Sequence, residues 1–225
     1  THEDSKVFRM AEKCPVCDAA VVKLPGEVAS RCPNLNCLAQ IKARLTHFSS
    51  KEAMDIDGLG GALVDQLVEQ GLVNNVLDLY LLKVDQLKSL DKMGEVSAQN
   101  LGAAIEKSKS KGLADFIYAL GILYVGRRTA EILAQHFLSI DNLINTTESA
   151  LVAVFEIGDK IAVSLLATFK NPDFIKLISG FKEIGINPIA KIKTSGKLAG
   201  KTFLLTGSLT KYTRLEAENL IKENG

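Results

Sequence analysis

The sequence predicts a mainly α-helical protein: a small four-cysteine metal module, an array of four glycine-hinged helix pairs, and a truncated strand–helix start of a further domain. Three observations predict it. All four cysteines of the 225-residue chain lie between positions 14 and 37. Glycines recur at 60, 94, 126 and 158 inside one repeated apolar pattern. The last stretch reads as one strand and one helix, and a lone strand–helix unit cannot bury its apolar faces. The expected domains are 1–45, 46–186, a linker at 187–200, and 201–225.

The cysteines come first in the chain. Their spacing is Cys14-x2-Cys17-x14-Cys32-x4-Cys37. Two close pairs on tight turns supply the four tetrahedral thiolates that structural zinc requires. Pro15 and Pro33 stiffen the two turns, and Asn34 and Asn36 suit the second. A redox C-x-x-C calls for a βαβ setting and leaves the second pair unexplained. Disulfides are expected in small secreted domains with cysteines spread over the chain. Four thiolates leave no open coordination position, so the ion is expected to hold the fold and do no chemistry. His47, close to the cluster, is expected to cap or pack rather than ligate.

The middle segment reads as short helices, with apolar residues at helical spacing and no proline between Pro33 and Pro172. The glycine anchors are 34, 32 and 32 residues apart. Four residues before them stand Ile56, Leu90, Ile122 and Val154; immediately before, Leu59, Met93, Val125 and Ile157. Four after stand Val64, Ala98, Ala130 and Ala162; seven after, Leu67, Leu101, Leu133 and Leu165. The pattern is h-x-x-h-G-x-x-x-[AV]-x-x-L. It predicts a sharp turn at each glycine, with φ > 0, between two helices. The apolar residue before the glycine fills the angle, and the small residue at +4 lets the helices approach closely.

The amides just after each glycine open a helix and have no partner within it. With the helix dipole behind them they suit a phosphate oxygen. This pattern resembles the helix-hairpin-helix motif, which grips the sugar-phosphate backbone without reading bases. The candidate DNA-binding residues are Gly58, Leu59, Gly60 and Gly61 in the first copy, and Met93 and Gly94 in the second. The third offers Val125, Gly126, Arg127 and Arg128, and the fourth Ile157, Gly158 and Lys160. Glu95 and Asp159 put an acid after the second and fourth glycines, which suits a more structural role there. A helical repeat scaffold whose turns merely need glycine remains the alternative.

Composition sets the limits on this reading. The chain is 47% apolar and 24% charged, with net charge +1, which excludes a disordered tail and argues against a strongly basic nucleic-acid binder. Residues 50–190 carry 13 basic and 18 acidic side chains. DNA binding there must therefore work through main-chain amides rather than bulk charge. The longest apolar run, residues 116–126, is far short of the roughly 18–20 needed to span a bilayer. The polar start at Thr1, without Met, reads as no signal peptide and suggests a fragment. In the tail, residues 187–200 read as a basic linker and residues 201–206 as a strand. Thr213 is placed to cap a helix, with Glu216 completing a capping box.

The order of these parts resembles the C-terminal half of bacterial NAD-dependent DNA ligases. The stretches most similar to that family are Arg31-Cys-Pro-Asn-Leu-Asn-Cys-Leu-Ala-Gln40, Ala53-Met-Asp-Ile-Asp-Gly-Leu-Gly60 with His47-Phe48 before it, and Ala119-Leu-Gly-Ile122 leading to Val125-Gly126. The tail resembles the opening of that family's BRCT domain. Leu38, Ser50-Lys51, Leu123-Tyr124 and Arg127 depart from the usual family residues.

The resemblance implies a zinc finger, four helix-hairpin-helix motifs and nicked double-stranded DNA as partner. The family's adenylated lysine lies in a Lys-x-Asp-Gly motif, which is absent here. The adenylation and OB modules, with NAD and Mg²⁺, would then lie outside this chain, which would hold no catalytic residue and be inactive alone. A monomer in the bacterial cytoplasm, at the nucleoid and not at a membrane, is the corresponding expectation. The helix-hairpin-helix module of a non-ligase repair protein and a purely structural interaction scaffold are the competing functions.

Overall fold

The computed structural model describes residues 10–23, 26–190, 196–198, 201 and 203–224. It opens with a two-stranded antiparallel ribbon, β1 (Val22–Lys23) and β2 (Ser30–Arg31), in the register Val22↔Arg31 and Lys23↔Ser30. A bridge between Lys13 and Ala20 closes the first cysteine turn. Everything of size beyond it is helical.

Four helix pairs follow. The first is α1 (Leu38–Ser49) with α2 (Gly61–Glu69), and the second α3 (Val84–Lys88) with α4 (Glu95–Ser108). The third is α5 (Leu113–Ala119) with α6 (Arg127–Phe137); α7 (Ile140–Ile144) links it to the fourth, α8 (Glu148–Val152) with α9 (Asp159–Phe169). A 3₁₀ turn at Asp78–Leu81 joins the first two pairs. The helix α10 (Pro172–Glu183) closes the array. α1 runs unbroken across residues 45 and 46, so the metal module and the first hairpin share a helix.

The apolar repeat is the core. Positions −4, +4 and +7 around each glycine are buried in all four copies, and position −1 is buried in three, Met93 being half-buried. Ala98, Ala130 and Ala162 are fully buried at +4, where only a small side chain lets the two helices of a pair touch. An aromatic cluster ties the pairs into one core. Phe181 of α10 stacks on Phe48 of α1 at 5.8 Å and meets Phe116 of α5 edge-on at 5.2 Å. Tyr80 packs edge-on against Phe181 and shares a 2.9 Å hydrogen bond with Ser108. Burial pushes the Tyr80 phenol up to about 12.

The tail divides into one expectation met and one corrected. The helix α11 (Arg214–Glu223) starts at Thr213, whose hydroxyl accepts from the Glu216 amide while Glu216 accepts from the Thr213 amide at 2.7 Å. Of the strand expected at residues 201–206, the described residues 201 and 203–206 are in no strand. A strand exists by pairing, and no partner strand is at hand among the described residues. Of the expected linker, residues 187–190 pack back on the helical array, with Ile189 bridging Ser139 and the Ala190 amide donating to Leu138 O at 2.8 Å. Residues 191–195, 199 and 200 lie outside the described part.

Candidate metal centre and nucleic-acid interface

The four cysteines converge. Their sulfur atoms all lie within 4.8 Å of one another, with Cys14 to Cys37 at 3.8 Å and Cys17 to Cys32 at 3.5 Å. A tetrahedron of sulfurs about 2.3 Å from a zinc ion has edges of about 3.8 Å. A disulfide needs about 2.05 Å, so these are separate thiols arranged as a metal-ligand set. The turns are built by main-chain bonds: Asp18 N to Cys14 O, Cys14 N to Ala19 O, and Cys37 N to Asn34 O.

The donors differ in environment. The Ala19 amide, and then the Asn34 side chain, pull the Cys17 thiol down to about 7; burial pushes Cys32 up to about 12. Four soft sulfurs with no open position fit structural zinc. Cys37 is also the N-cap of α1, so the metal site fixes where the first hairpin helix begins. His47 is not a ligand: its Nε2 donates to Tyr118 O at 2.8 Å, and its ring packs edge-on against Tyr118.

The turns of the four hairpins are one structure repeated. In each, the amide at −1 donates to the carbonyl at −4: Leu59 to Ile56 at 3.3 Å, Met93 to Leu90 at 3.2 Å, Val125 to Ile122 and Ile157 to Val154 at 3.0 Å. The residue at −2 is left-handed in all four: Gly58 (φ 84°), Lys92 (60°), Tyr124 (67°) and Glu156 (69°). This corrects the expectation that the anchor glycines take positive φ. Gly60, Gly94, Gly126 and Gly158 have φ between −77° and −89° with ψ near 170°, extended backbone open to any residue. The sharp bend is made two residues earlier.

The anchor glycines are the N-caps of α2, α4, α6 and α9. All four are exposed, and a Cβ on any of them would meet nothing within 4 Å. Nothing inside the molecule therefore requires glycine there. No side chain caps these four helices. Their first amides, such as those of Gly61 and Ala62 or of Arg127 and Arg128, point out of the helix ends without a partner among the described residues. Four other helices are capped by side chains, Ser139 on α7, Thr147 on α8, Asn171 on α10 and Thr213 on α11; α1, α3 and α5 have no such cap, and the N-cap of α5 is a further exposed glycine, Gly112, whose own amide is bonded by Asp115.

The cations singled out beside the hairpins are engaged inside the molecule. Arg127 pairs with Asp115 and Glu131 and donates to Glu52 O at 2.8 Å. Arg128 reaches Glu156 of the fourth hairpin at 3.1 Å. Lys160 sits 4.2 Å over the Tyr124 ring of the third hairpin and 4.0 Å from Glu27 of the metal module. Thus the +2 cation of each of these hairpins rests on the −2 side chain of the other. Glu27 also accepts from Arg31 Nε and Nη2 and from the Tyr124 hydroxyl. The Tyr124 hydrogen bond, and then Arg31, hold its carboxyl below the usual carboxylate range.

The hairpins also interlock two by two through positions that sequence reasoning missed. Gln66, at +6 of the first, bonds the Asp91 amide (2.8 Å) at −3 of the second. Ser164, at +6 of the fourth, donates to Leu123 O (2.7 Å) at −3 of the third. The repeat arithmetic held that signal, since both contacts join +6 to −3. Glu27 and Tyr124, 97 residues apart in sequence, had no such signal.

A four-thiolate zinc module running into an array of helix-hairpin-helix pairs defines a class of DNA-associated protein, and sequence comparison agrees. The pattern described as "NAD-dependent DNA ligase C4 zinc finger domain" matches residues 13–39, and the "Helix-hairpin-helix motif" pattern matches residues 115–178. A DNA ligase of Geotalea uraniireducens is 43% identical over 99% of this chain and 33% of its own length. One from Geobacter metallireducens is 46% identical over 94% and 32%, and one from Lysinibacillus sphaericus 43% over 99% and 34%. The chain belongs to the NAD-dependent DNA ligase family. It spans about a third of the length of the curated relatives it matches. Among the described residues no helix is long and apolar enough to cross a membrane.

Proposed function

We propose that this chain is the part of an NAD-dependent ligase that binds and positions nicked double-stranded DNA, independently of sequence, while other modules seal it. The observation that carries this reading is the set of four exposed glycine N-caps. A natural chain gains from Ser, Thr, Asp or Asn at an N-cap. Leaving four equivalent helices bare, with open space over each glycine, makes sense where an outside anion comes close to the backbone. Main-chain amides need no large positive charge, which fits a helical array carrying more acids than bases. Gly58, Leu59, Met93, Val125 and Ile157 shape the turns that present these amides. Arg127, Arg128 and Lys160 act as local cations that exchange internal partners for phosphates.

In this reading the hairpins hold phosphates on both sides of a nick so that the two ends stay in line, which is the positional part of phosphodiester bond formation in replication and repair. Zinc, held by Cys14, Cys17, Cys32 and Cys37, fixes the module ahead of the first hairpin. The adenylated lysine, NAD and Mg²⁺ belong to the adenylation and OB modules of the parent protein. This chain alone, a monomer, binds without sealing; the parent works in the cytoplasm at the nucleoid.

The test is a gel shift at low salt with nicked, intact and single-stranded DNA, using the 225-residue chain and a Gly60→Val, Gly126→Val double variant. A β-branched residue is compatible with φ near −82°, and a Cβ meets no atom within 4 Å at either site; the thermal midpoint of the variant, expected close to that of the parent chain, checks that the fold is retained. Losing charge-assisted amide bonds worth about 1.5–3 kcal/mol each should weaken duplex binding at least tenfold. Equal binding by the variant would remove the amide mechanism.

A further inference from the structure

We propose that Phe155 contacts DNA and that the third and fourth hairpins are the pair that enters the groove. The inference rests on the DNA-holding reading above and assigns the work within it. Position −3 of each hairpin is the exposed tip of its turn. The four residues there are Asp57, Asp91, Leu123 and Phe155. The first pair of hairpins thus ends in two carboxylates, the second pair in two apolar side chains.

Phe155 is 85% exposed, more than any other aromatic side chain among the described residues. It lines one shallow depression with Val152, Ile157 and Gly158. No described residue covers it, and it stands three residues from an exposed glycine N-cap. The two hairpins that carry the apolar tips are held together by bonds in both directions. Arg128 reaches Glu156, Lys160 lies over Tyr124, and Ser164 holds Leu123 O.

Charge points the same way. After the anchor glycines, the third and fourth hairpins carry Arg127, Arg128 and Lys160, whereas the first and second carry Gly61, Ala62, Glu95 and Val96. Glu95 is the first residue of α4 and pairs with Lys88 at 2.6 Å, so that helix end already holds an anion. The matched helix-hairpin-helix pattern covers residues 115–178, the third and fourth hairpins. The occupant is the minor groove of duplex DNA, whose walls are the C–H edges of deoxyriboses. An aromatic ring laid on those edges sheds water, as the apolar side chains of minor-groove binders do. Asp159 opens α9, so the fourth hairpin contributes a ring where the third contributes bare amides and two arginines that exchange their internal carboxylate partners for phosphates.

The experiment measures fluorescence-anisotropy titrations of a nicked duplex against the 225-residue chain and its Phe155→Ala and Asp57→Ala variants, at several salt concentrations. For Phe155→Ala the expected result is roughly tenfold weaker binding, the loss that follows from one largely buried aromatic contact. The slope of log K against log salt should not change, because no phosphate contact is removed. Binding of single-stranded DNA should be unaffected, since it has no groove. Asp57→Ala should bind within about twofold of the parent chain, because the first hairpin meets phosphates through its helix-start amides while its tip stays outside the groove. Unchanged duplex affinity for Phe155→Ala, or a tenfold change confined to Asp57→Ala, overturns the proposal. If the parent chain binds no duplex at all, the DNA-holding reading itself falls.

Discussion

The four turns offer a test of the fold in which one backbone conformation is met by four different residues. Gly58, Lys92, Tyr124 and Glu156 all have φ between 60° and 84°. A left-handed conformation costs an L-residue about 1–2 kcal/mol and glycine nothing. Gly58→Ala should therefore destabilise the protein by about 1 kcal/mol, although its new Cβ meets only Leu101 Cδ1 at 4.0 Å, an ordinary contact. In a domain of this size that lowers Tm by about 2–4 °C.

The reverse change, Lys92→Gly, gains the same relief but adds about 0.5–1 kcal/mol of glycine backbone entropy. Its net effect should lie within about 0.5 kcal/mol of zero. Gly61→Ala, at the first helical position with no atom within 4 Å of its Cβ, should stabilise by about 0.4–1 kcal/mol. Urea denaturation of the three variants reads these signs directly. A Gly58→Ala variant as stable as Gly61→Ala would refute the assignment of the bend to position −2.

Chelation of zinc should disorder residues 13–39 and fray the start of α1, where Cys37 is the N-cap, while hydrogen exchange across α2–α10 changes little; metal analysis should give one zinc per chain. Ala130→Leu fills a position with no exposed surface between α5 and α6 and should cost about 1–3 kcal/mol by overpacking, read as a lower urea midpoint. Glu216 is held below the usual carboxylate range by the Thr213 amide and hydroxyl. Its contribution to α11 is present above the ordinary glutamate pKa of about 4.3 and is lost as pH falls through the lowered folded value. Exchange protection of α11 should show that acid-side loss in the parent chain and not in Glu216→Gln.

Much of this architecture was legible because the repeat is dense. Positions −4, −1, +4 and +7 each carry a size and polarity that only a tightly packed helix pair explains, and four copies remove the ambiguity of one. The cysteine spacing carried the metal site in the same way. The location of the bend was not legible. Glycine stands at the anchor for lack of a side chain over the helix end, whereas the strained position admits Lys92, Tyr124 and Glu156. The ion pairs of Arg127, Arg128 and Lys160 were also hidden, because Asp115, Glu156 and Glu27 reach them only through tertiary packing. The unpaired state of the described residues 203–206 has a related reason: their apolar residues have a β-like composition, but pairing needs a neighbour, and the described residues offer none.

The central claim is that bare helix-start amides receive backbone phosphates. Amide chemical-shift mapping of the isotope-labelled chain with a nicked duplex tests it most directly. The account predicts that the largest shifts fall on the amides of residues 61, 62, 127 and 128, just after Gly60 and Gly126. Shifts confined to the lysine-rich tail, with those amides unmoved while DNA is bound, would contradict it.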